Sequence, residues 1–161
     1  TAEHVFAPIF IKLGDRDRKH KEDAKEPGPG TLRDVTISNL TATNAGPFSS
    51  SITGYPGHYV ENVTLSNIRI SHYGGGKADE IMDKVPENKG DYPEIKMFGN
   101  DWHGPRLPSY GFFVRHVKNL TMENVTLELQ SPDARKPVYM EDVFEVTADE
   151  TSTRILPERM R

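Results

Sequence analysis

The sequence predicts an all-β fold, a partial right-handed parallel β-helix with long loops, on three observations. The pattern [Asp/Asn]-apolar-Thr-apolar-polar-Asn begins at Asp34, Asn62 and Asn119, so the copies start 28 and then 57 residues apart, the second offset being close to twice the first. Apolar and polar residues alternate within each copy, as in a strand, and none shows a helical i, i+3, i+4 stripe. A unit this short cannot bury its own apolar face, so successive units are expected to stack into a solenoid.

The copy at residues 62–71 shows how one unit is built. Its alternation places four apolar side chains on the inner side, Val63, Leu65, Ile68 and Ile70, with one shift of phase at Ser66–Asn67. The shift indicates a bend between two strands. Asn39, Asn67 and Asn124 occupy this bend in the three copies, and we expect them to lie one above the next as a structural ladder of inward-pointing amides.

Composition narrows the class of function. The 161-residue chain carries a formal charge of −4, which argues against a nucleic-acid partner. It contains no cysteine, which excludes disulfides and thiolate metal sites. No apolar run is long enough to cross or enter a membrane, and no cluster at metal-ligand spacing accompanies His58, which lies in a predicted turn. We therefore expect no metal and no cofactor.

The predicted organisation is a series of β-helix coils over residues 1–148, the C-terminal part of a larger solenoid, followed by a tail or cap at 149–161. Two insertions interrupt the coils, at 14–31 and 74–109, and the second fills the missing repeat. A strand is expected over 4–13, a short helix around 78–84, and a last pair of strands at 137–140 and 143–146.

Both insertions have two interpretations. The charged loop at 14–30 is either a solvated connection or, with Lys12, Arg16 and Arg18, a cationic wall facing an acidic sugar. The irregular loop at 92–110, which contains Trp102 and His103, has the composition of a sugar-binding loop. Alternatively, its aromatic residues only attach the loop to the flank of the solenoid.

An ordered series of segments resembles the polygalacturonase-like glycoside hydrolases of family 28, in particular their bacterial branch. It comprises Ala7–Gly14 with Arg16, Leu32–Asn39, Ile52–Gly57, Val60–Asn67, Tyr92–Glu94, Met97–Gly99, Leu107–His116 and Asp133–Arg135. The resemblance implies a pectin-lyase-like solenoid and inverting hydrolysis of galacturonic-acid linkages by aspartates on neighbouring coils. It further implies substrate contacts after the first strand, for which the candidates are Lys12, Asp15, Arg16 and Arg18, with Trp102 and His103 on the long loop.

The family's hallmark Asn-Thr-Asp, Asp-Asp, Gly-His-Gly and Arg-Ile-Lys segments do not occur in this sequence. We therefore expect no catalytic residue here and a non-catalytic C-terminal segment of a pectin-degrading hydrolase, periplasmic or secreted in its parent protein. Its expected partners are an acidic plant polysaccharide and either the missing N-terminal part of the solenoid or a second copy at the N-terminal edge. A carbohydrate-binding or adhesive module is the alternative, and a calcium-dependent lyase the least favoured hypothesis.

Overall fold

The computed structural model describes residues 1–14, 21–23, 30–87 and 106–149, and the backbone of a strand at 152–155. The predicted all-β class is confirmed. Eight strands form one sheet: β1 (Ala2–Glu3), β2 (Phe10–Lys12), β3 (Leu32–Ala45), β4 (Ser50–Thr53), β5 (Val60–His72), β6 (Ser109–Leu129), β7 (Lys136–Ala148) and β8 (Ser152–Ile155). A 3₁₀ helix at Ala78–Glu80 is the one helix of the described residues.

All the pairings between these strands are parallel, and their register follows the sequence repeat. Val35 pairs with Val63, Val63 with Leu120, and Leu120 with Val146, so equivalent residues lie 28, 57 and 26 positions apart. The doubled offset arises because the insertion separates β5 from β6. The sheet order is β1-β3-β5-β6-β4-β2, with β7 and β8 also paired to β6. We call each passage of the chain along the stack a layer.

The core consists of the apolar side chains that the alternation predicted. Val63, Leu65, Ile68 and Ile70 of β5 are at most 1% exposed, which confirms their inward position. Their neighbours in β6 are at most 3% exposed: Leu120, Met122, Val125 and Leu127. Burying a side chain of this size stabilises a fold by about 1.5–3 kcal/mol. The core therefore accounts for why the central layers stack.

Burial falls at both ends of the stack. Val35, Ile37 and Leu40 of β3 are only partly buried, because β1 pairs with β3 only at Ala42 and Thr43. At the other end, Phe144 of β7 is 49% exposed. The layers thus differ in stability, and the central two are the best packed.

Left-handed residues five positions apart bend the three strands β3, β5 and β6. Asp34, Asn62 and Asn119 have φ between 56 and 58°, and we call them the first corner column. Five residues later, φ is between 51 and 57° at the second corner column, Asn39, Asn67 and Asn124. Asn and Asp tolerate this conformation better than other residues with a side chain. The bend predicted at Ser66–Asn67 is therefore confirmed, and a second one precedes it.

The predicted ladder forms, but its inward direction is wrong. Asn67 donates from Nδ2 to Asn39 Oδ1 at 3.2 Å, and Asn124 donates to Asn67 Oδ1 at 2.8 Å, while all three side chains remain exposed. A left-handed residue shifts the alternation by one position, so the corner side chain points outward and the apolar residues beside it fill the core. The first corner column forms the same ladder, Asn62 to Asp34 at 2.7 Å and Asn119 to Asn62 at 3.0 Å.

Replacing Asn67 with Ala should lower the free energy of unfolding by about 1–2 kcal/mol. Alanine is strained in the left-handed conformation, and the substitution also removes two exposed amide hydrogen bonds. Asn67→Gly loses the same bonds but tolerates the conformation, so it should be about 1 kcal/mol less destabilised than Asn67→Ala. Urea unfolding of the two variants measures the difference, and equal stabilities would contradict the assignment of strain to this corner.

Several predicted elements have different bounds. Of the strand expected over 4–13, Phe10–Lys12 forms as β2, since His4 has a φ of 54° and Pro8 has no N–H for a sheet ladder. The short strand β1, Ala2–Glu3, precedes the predicted range. The helix expected at 78–84 is one 3₁₀ turn. The last pair of strands is the single strand β7, and the tail adds β8 beside Thr126–Leu129.

The N-terminal edge is only partly covered by its own chain. Ile9 and Ile11 are buried at 3% and 7% exposure, whereas Phe6 and Phe10 are 59% and 43% exposed. Alternate residues of β2 thus point to the core and to the surface.

Candidate functional site

Of the predicted substrate contacts, the structure describes Lys12. It is the last residue of β2, is partly buried, and pairs with Thr53 of β4. Asp15, Arg16, Arg18, Trp102 and His103 lie outside the described residues. The cationic wall and the sugar-binding loop therefore remain predictions.

A different group of polar side chains meets where two layers adjoin the second insertion. We call it the His116 cluster: Tyr59, Glu87, His116 and Asp142. Tyr59 directly precedes β5, His116 lies within β6, Asp142 lies within β7, and Glu87 belongs to the insertion. His116 and Asp142 are both left-handed, with φ of 55° and 51°. They form a further corner, three residues before the first corner column in β6.

His116 is placed between two carboxylates. Its Nδ1 lies 2.5 Å from Asp142 Oδ2, and its Nε2 lies 3.1 Å from Glu87 Oε2. Tyr59 donates its hydroxyl to the same Asp142 oxygen at 2.9 Å. The imidazole side chain is 7% exposed, so the ring is nearly enclosed, while the Glu87 side chain is 41% exposed. One end of the cluster therefore reaches solvent.

The contacts shift the pKa values of two members of the cluster, Asp142 and Tyr59. The hydrogen bond from His116 lowers the pKa of Asp142, and the Tyr59 bond and the charges of His116 and Lys118 act in the same direction against burial. The bond to Asp142 raises the pKa of Tyr59, aided by burial and the carboxylate charge. Asp142 is thus held as an acceptor and Tyr59 as a donor.

This arrangement does not suit a pair of carboxylates that cleaves a glycosidic bond. An inverting glycosidase leaves room between its acid and its base for a sugar linkage and a water molecule. Here the imidazole ring of His116 fills the space between Glu87 and Asp142. The cluster is built to join parts of the chain or to contact a ligand from its outer side.

An aromatic surface adjoins the cluster. The ring of Tyr59 lies 5.7 Å from that of Phe144, which is 49% exposed, and the Lys118 ammonium lies 4.4 Å from the Tyr59 centroid. We call Tyr59, Lys118 and Phe144 the aromatic patch. An exposed ring beside a polar donor can bind the apolar face and the hydroxyl groups of a sugar.

A second polar group, the arginine clamp of Asp133 and Arg135, is buried between layers. The two side chains are 0% and 2% exposed, and Arg135 Nη2 lies 2.7 Å from Asp133 Oδ2. Arg135 also donates to the carbonyls of Pro47, at 2.5 Å, and Ser109, at 3.2 Å. Gly76 donates its N–H to Asp133 at 3.0 Å. The clamp therefore ties four separate chain segments together, a structural role.

Sequence patterns did not identify the His116 cluster. His116 and Asp142 stand 26 residues apart, and their contact depends on the length of the turn between β6 and β7. The available signal was positional: His116 precedes Asn119 by three residues, and Asp142 precedes Glu145 by the same interval. Aligning Asn119 with Glu145 would have placed the histidine beside the aspartate.

His58 occupies the predicted turn, where its backbone exchanges two hydrogen bonds with Tyr55 at 3.0 and 2.8 Å. Within the described ranges no group of three or more His, Cys, Asp or Glu side chains could hold a metal ion. The same ranges include no helix that is long and apolar enough to cross a membrane.

Comparison of the chain with protein-family models, curated proteins and solved structures found no match.

Proposed function

We propose that the chain is a partial right-handed parallel β-helix and a non-catalytic, C-terminal segment of a polygalacturonase-like glycoside hydrolase acting on pectin-type polysaccharide. The observation that carries this proposal is the stacking of the segments on which the resemblance rests. Leu32–Asn39 and Val60–Asn67 occupy equivalent positions in neighbouring layers, paired from Leu32–Val60 to Ser38–Ser66. Their corner asparagines bond to one another along the stack.

Handedness follows from a general rule of chain topology. A connection between two parallel strands of one sheet is right-handed in about 98% of cases. Each layer here returns to pair in parallel with the one before it, so the stack is expected to wind right-handedly.

The substrate class remains that of the resemblance, an acidic plant polysaccharide, and the place of action is periplasmic or extracellular. Lys12 ends β2, and Arg16 and Arg18 follow it in the sequence, so this part of the chain carries cationic residues of the kind that bind uronate carboxylates. Asp15 and Asp17 stand two residues apart in the same loop and lack the family's catalytic segments around them. The chain should therefore contact the polymer without cleaving it.

The second candidate function is a carbohydrate-binding or adhesive module, and the aromatic patch favours it. Phe144 is 49% exposed beside Tyr59 and Lys118, an arrangement that serves binding without any catalytic group. The two candidates differ in gene context, because a hydrolase segment requires an encoded stretch with the four hallmark segments upstream.

A paired assay tests the proposal on the purified chain. Calorimetric titration with an oligogalacturonide should show binding that an uncharged galactan of equal length does not reproduce, while a reducing-sugar assay on polygalacturonate should show no release above buffer. The double variant Lys12→Gln/Arg16→Gln tests the cationic contacts. It should weaken binding of the oligogalacturonide at least tenfold and leave folding intact. Turnover abolished by Asp15→Asn would overturn the non-catalytic assignment, and absence of binding would overturn the substrate class.

A further inference from the structure

Two residues of β6 attach the end of the segment at 81–87, which belongs to the second insertion. Arg115, with no exposed surface, donates from Nη1 to the carbonyl of Val85 and from Nη2 to that of Pro86, both at 2.9 Å. The next residue of each segment makes the next contact, His116 to Glu87 at 3.1 Å. The arginine bonds are made by a side chain that is always charged, so this anchor holds at all ordinary pH values.

The second anchor has a different property. We propose that His116 is a pH-dependent latch which, with a proton on each ring nitrogen, joins Glu87 of the insertion to Asp142 of β7, and which releases Glu87 when one proton is lost. An imidazole with hydrogen on both nitrogens donates to both carboxylates, whereas the neutral ring has one donor and one lone pair. A lone pair facing a carboxylate oxygen is repulsive. The inference is independent of the proposed function.

The geometry indicates which of the two carboxylate contacts His116 keeps when its ring loses one proton. The Asp142 contact is the shorter one, 2.5 Å against 3.1 Å, and the Tyr59 hydroxyl fixes Asp142 in place. Glu87 is 41% exposed, so water can solvate its carboxylate when the ring contact is lost. The neutral ring should therefore keep its hydrogen on Nδ1, and the bond from Nε2 to Glu87 should be the one lost.

The charged groups around the ring come from each element packed against it. Two carboxylates face the ring, Asp142 of β7 and Glu87 of the insertion. Two cations lie nearby: Arg115, whose Nη2 is 3.7 Å from Glu87, and Lys118, over the Tyr59 ring. Tyr59 contributes a neutral hydroxyl as donor to Asp142. The two carboxylates are in direct contact with the ring, so the latched state is an ordinary charge-assisted arrangement.

Two measurements on the whole chain test the latch across pH 5–9. The ¹⁵N shifts of the His116 ring should show both nitrogens protonated at low pH, and Nε2 alone should lose its proton on raising the pH. Amide exchange of residues 81–87, corrected for the intrinsic pH dependence, should then accelerate about tenfold, as expected for loss of one charge-assisted bond. Loss of the proton from Nδ1, or protection of 81–87 that does not change across the titration, would overturn the proposal.

Matched variants separate the latch from folding. Glu87→Gln removes the carboxylate of the latch, so exchange at 81–87 should no longer change with pH, with far-ultraviolet circular dichroism unchanged. His116→Asn tolerates the left-handed backbone, but its shorter side chain cannot reach both carboxylates. Amide exchange at 81–87 should therefore be fast at every pH between 5 and 9. His58→Gln, at an exposed turn, should keep the wild-type profile; a His116→Asn variant that retains that profile would contradict the latch.

Discussion

Replacing Arg135 with Met should lower the free energy of unfolding by about 3–5 kcal/mol, the range for breaking a buried ion pair on one side. The change leaves the Asp133 carboxylate at 0% exposure without its cation, and removes the donor to the carbonyls of Pro47 and Ser109. Since small domains are stable by about 5–15 kcal/mol, this is a large fraction of the total. Urea unfolding monitored by circular dichroism measures it.

An exposed pair on the same chain provides the control. Arg33 lies 3.6 Å from Asp34, with both side chains more than 60% exposed, and Arg33→Met should cost no more than about 1 kcal/mol. The double variant Asp133→Leu/Arg135→Met removes both charges and should be less destabilised than the sum of its single variants. Equal losses for Arg135→Met and Arg33→Met would show that the clamp has no special role.

The repeat and the alternation of apolar residues together were sufficient to predict β3, β5 and the matching part of β6, their parallel stacking and the inward set in β5. It did not predict where Asn67 points, because a left-handed residue changes the phase of the strand at that position, and backbone φ is not visible in an apolar–polar pattern. The first corner column could have been found, since Asn62 and Asn119 stand five residues before Asn67 and Asn124. The period of five was present in the sequence, but the repeat of 28 obscured it.

The polar groups between layers were harder to predict. Asp133 and Arg135 were singled out only as part of the family resemblance, and charged residues are rarely fully buried unless paired. Their burial depends on Pro47, Gly76 and Ser109, which come from three distant parts of the chain. Arg115 lies in a segment of the family resemblance, Leu107–His116, and the second insertion packs over its side chain. Predicting such contacts requires both the strand register and the path of the connecting loops.

The arginine clamp also limits stability at very low pH. Burial opposes ionisation of Asp133, but the hydrogen bonds from Arg135 and the Gly76 N–H outweigh it and hold the pKa of this carboxyl below its ordinary value of 3.8. The folded pKa is depressed, so its contribution is present above that value and is lost as the pH falls through the folded pKa. The pH range of this loss lies below the range over which the buried His72 acts.

His72 should make the chain lose stability on acidification from about pH 6.5 to about pH 4. It is 1% exposed in the core, with its ring 5.7 Å from Tyr110. Burial is the main cause that lowers the pKa of His72 from 6.5 to about 4; the charge of Arg135 acts in the same direction, and the Gly46 backbone and Asp133 oppose it in part. In this range the unfolded chain binds a proton that the folded chain does not, so protonation favours unfolding.

A shift of one pKa unit corresponds to about 1.4 kcal/mol. The free energy of unfolding should therefore fall by about 3 kcal/mol between pH 6.5 and pH 4 because of His72, and this loss should level off below pH 4. His72→Phe keeps an aromatic ring against Tyr110 and cannot be protonated, so its urea-unfolding free energy should be nearly flat between pH 6.5 and 4.5 where the wild type declines; His72→Leu serves if the larger ring does not fit. The exposed His58, replaced with Gln, should leave the decline unchanged. A decline as steep in both His72 variants as in the wild type would place the acid sensitivity elsewhere.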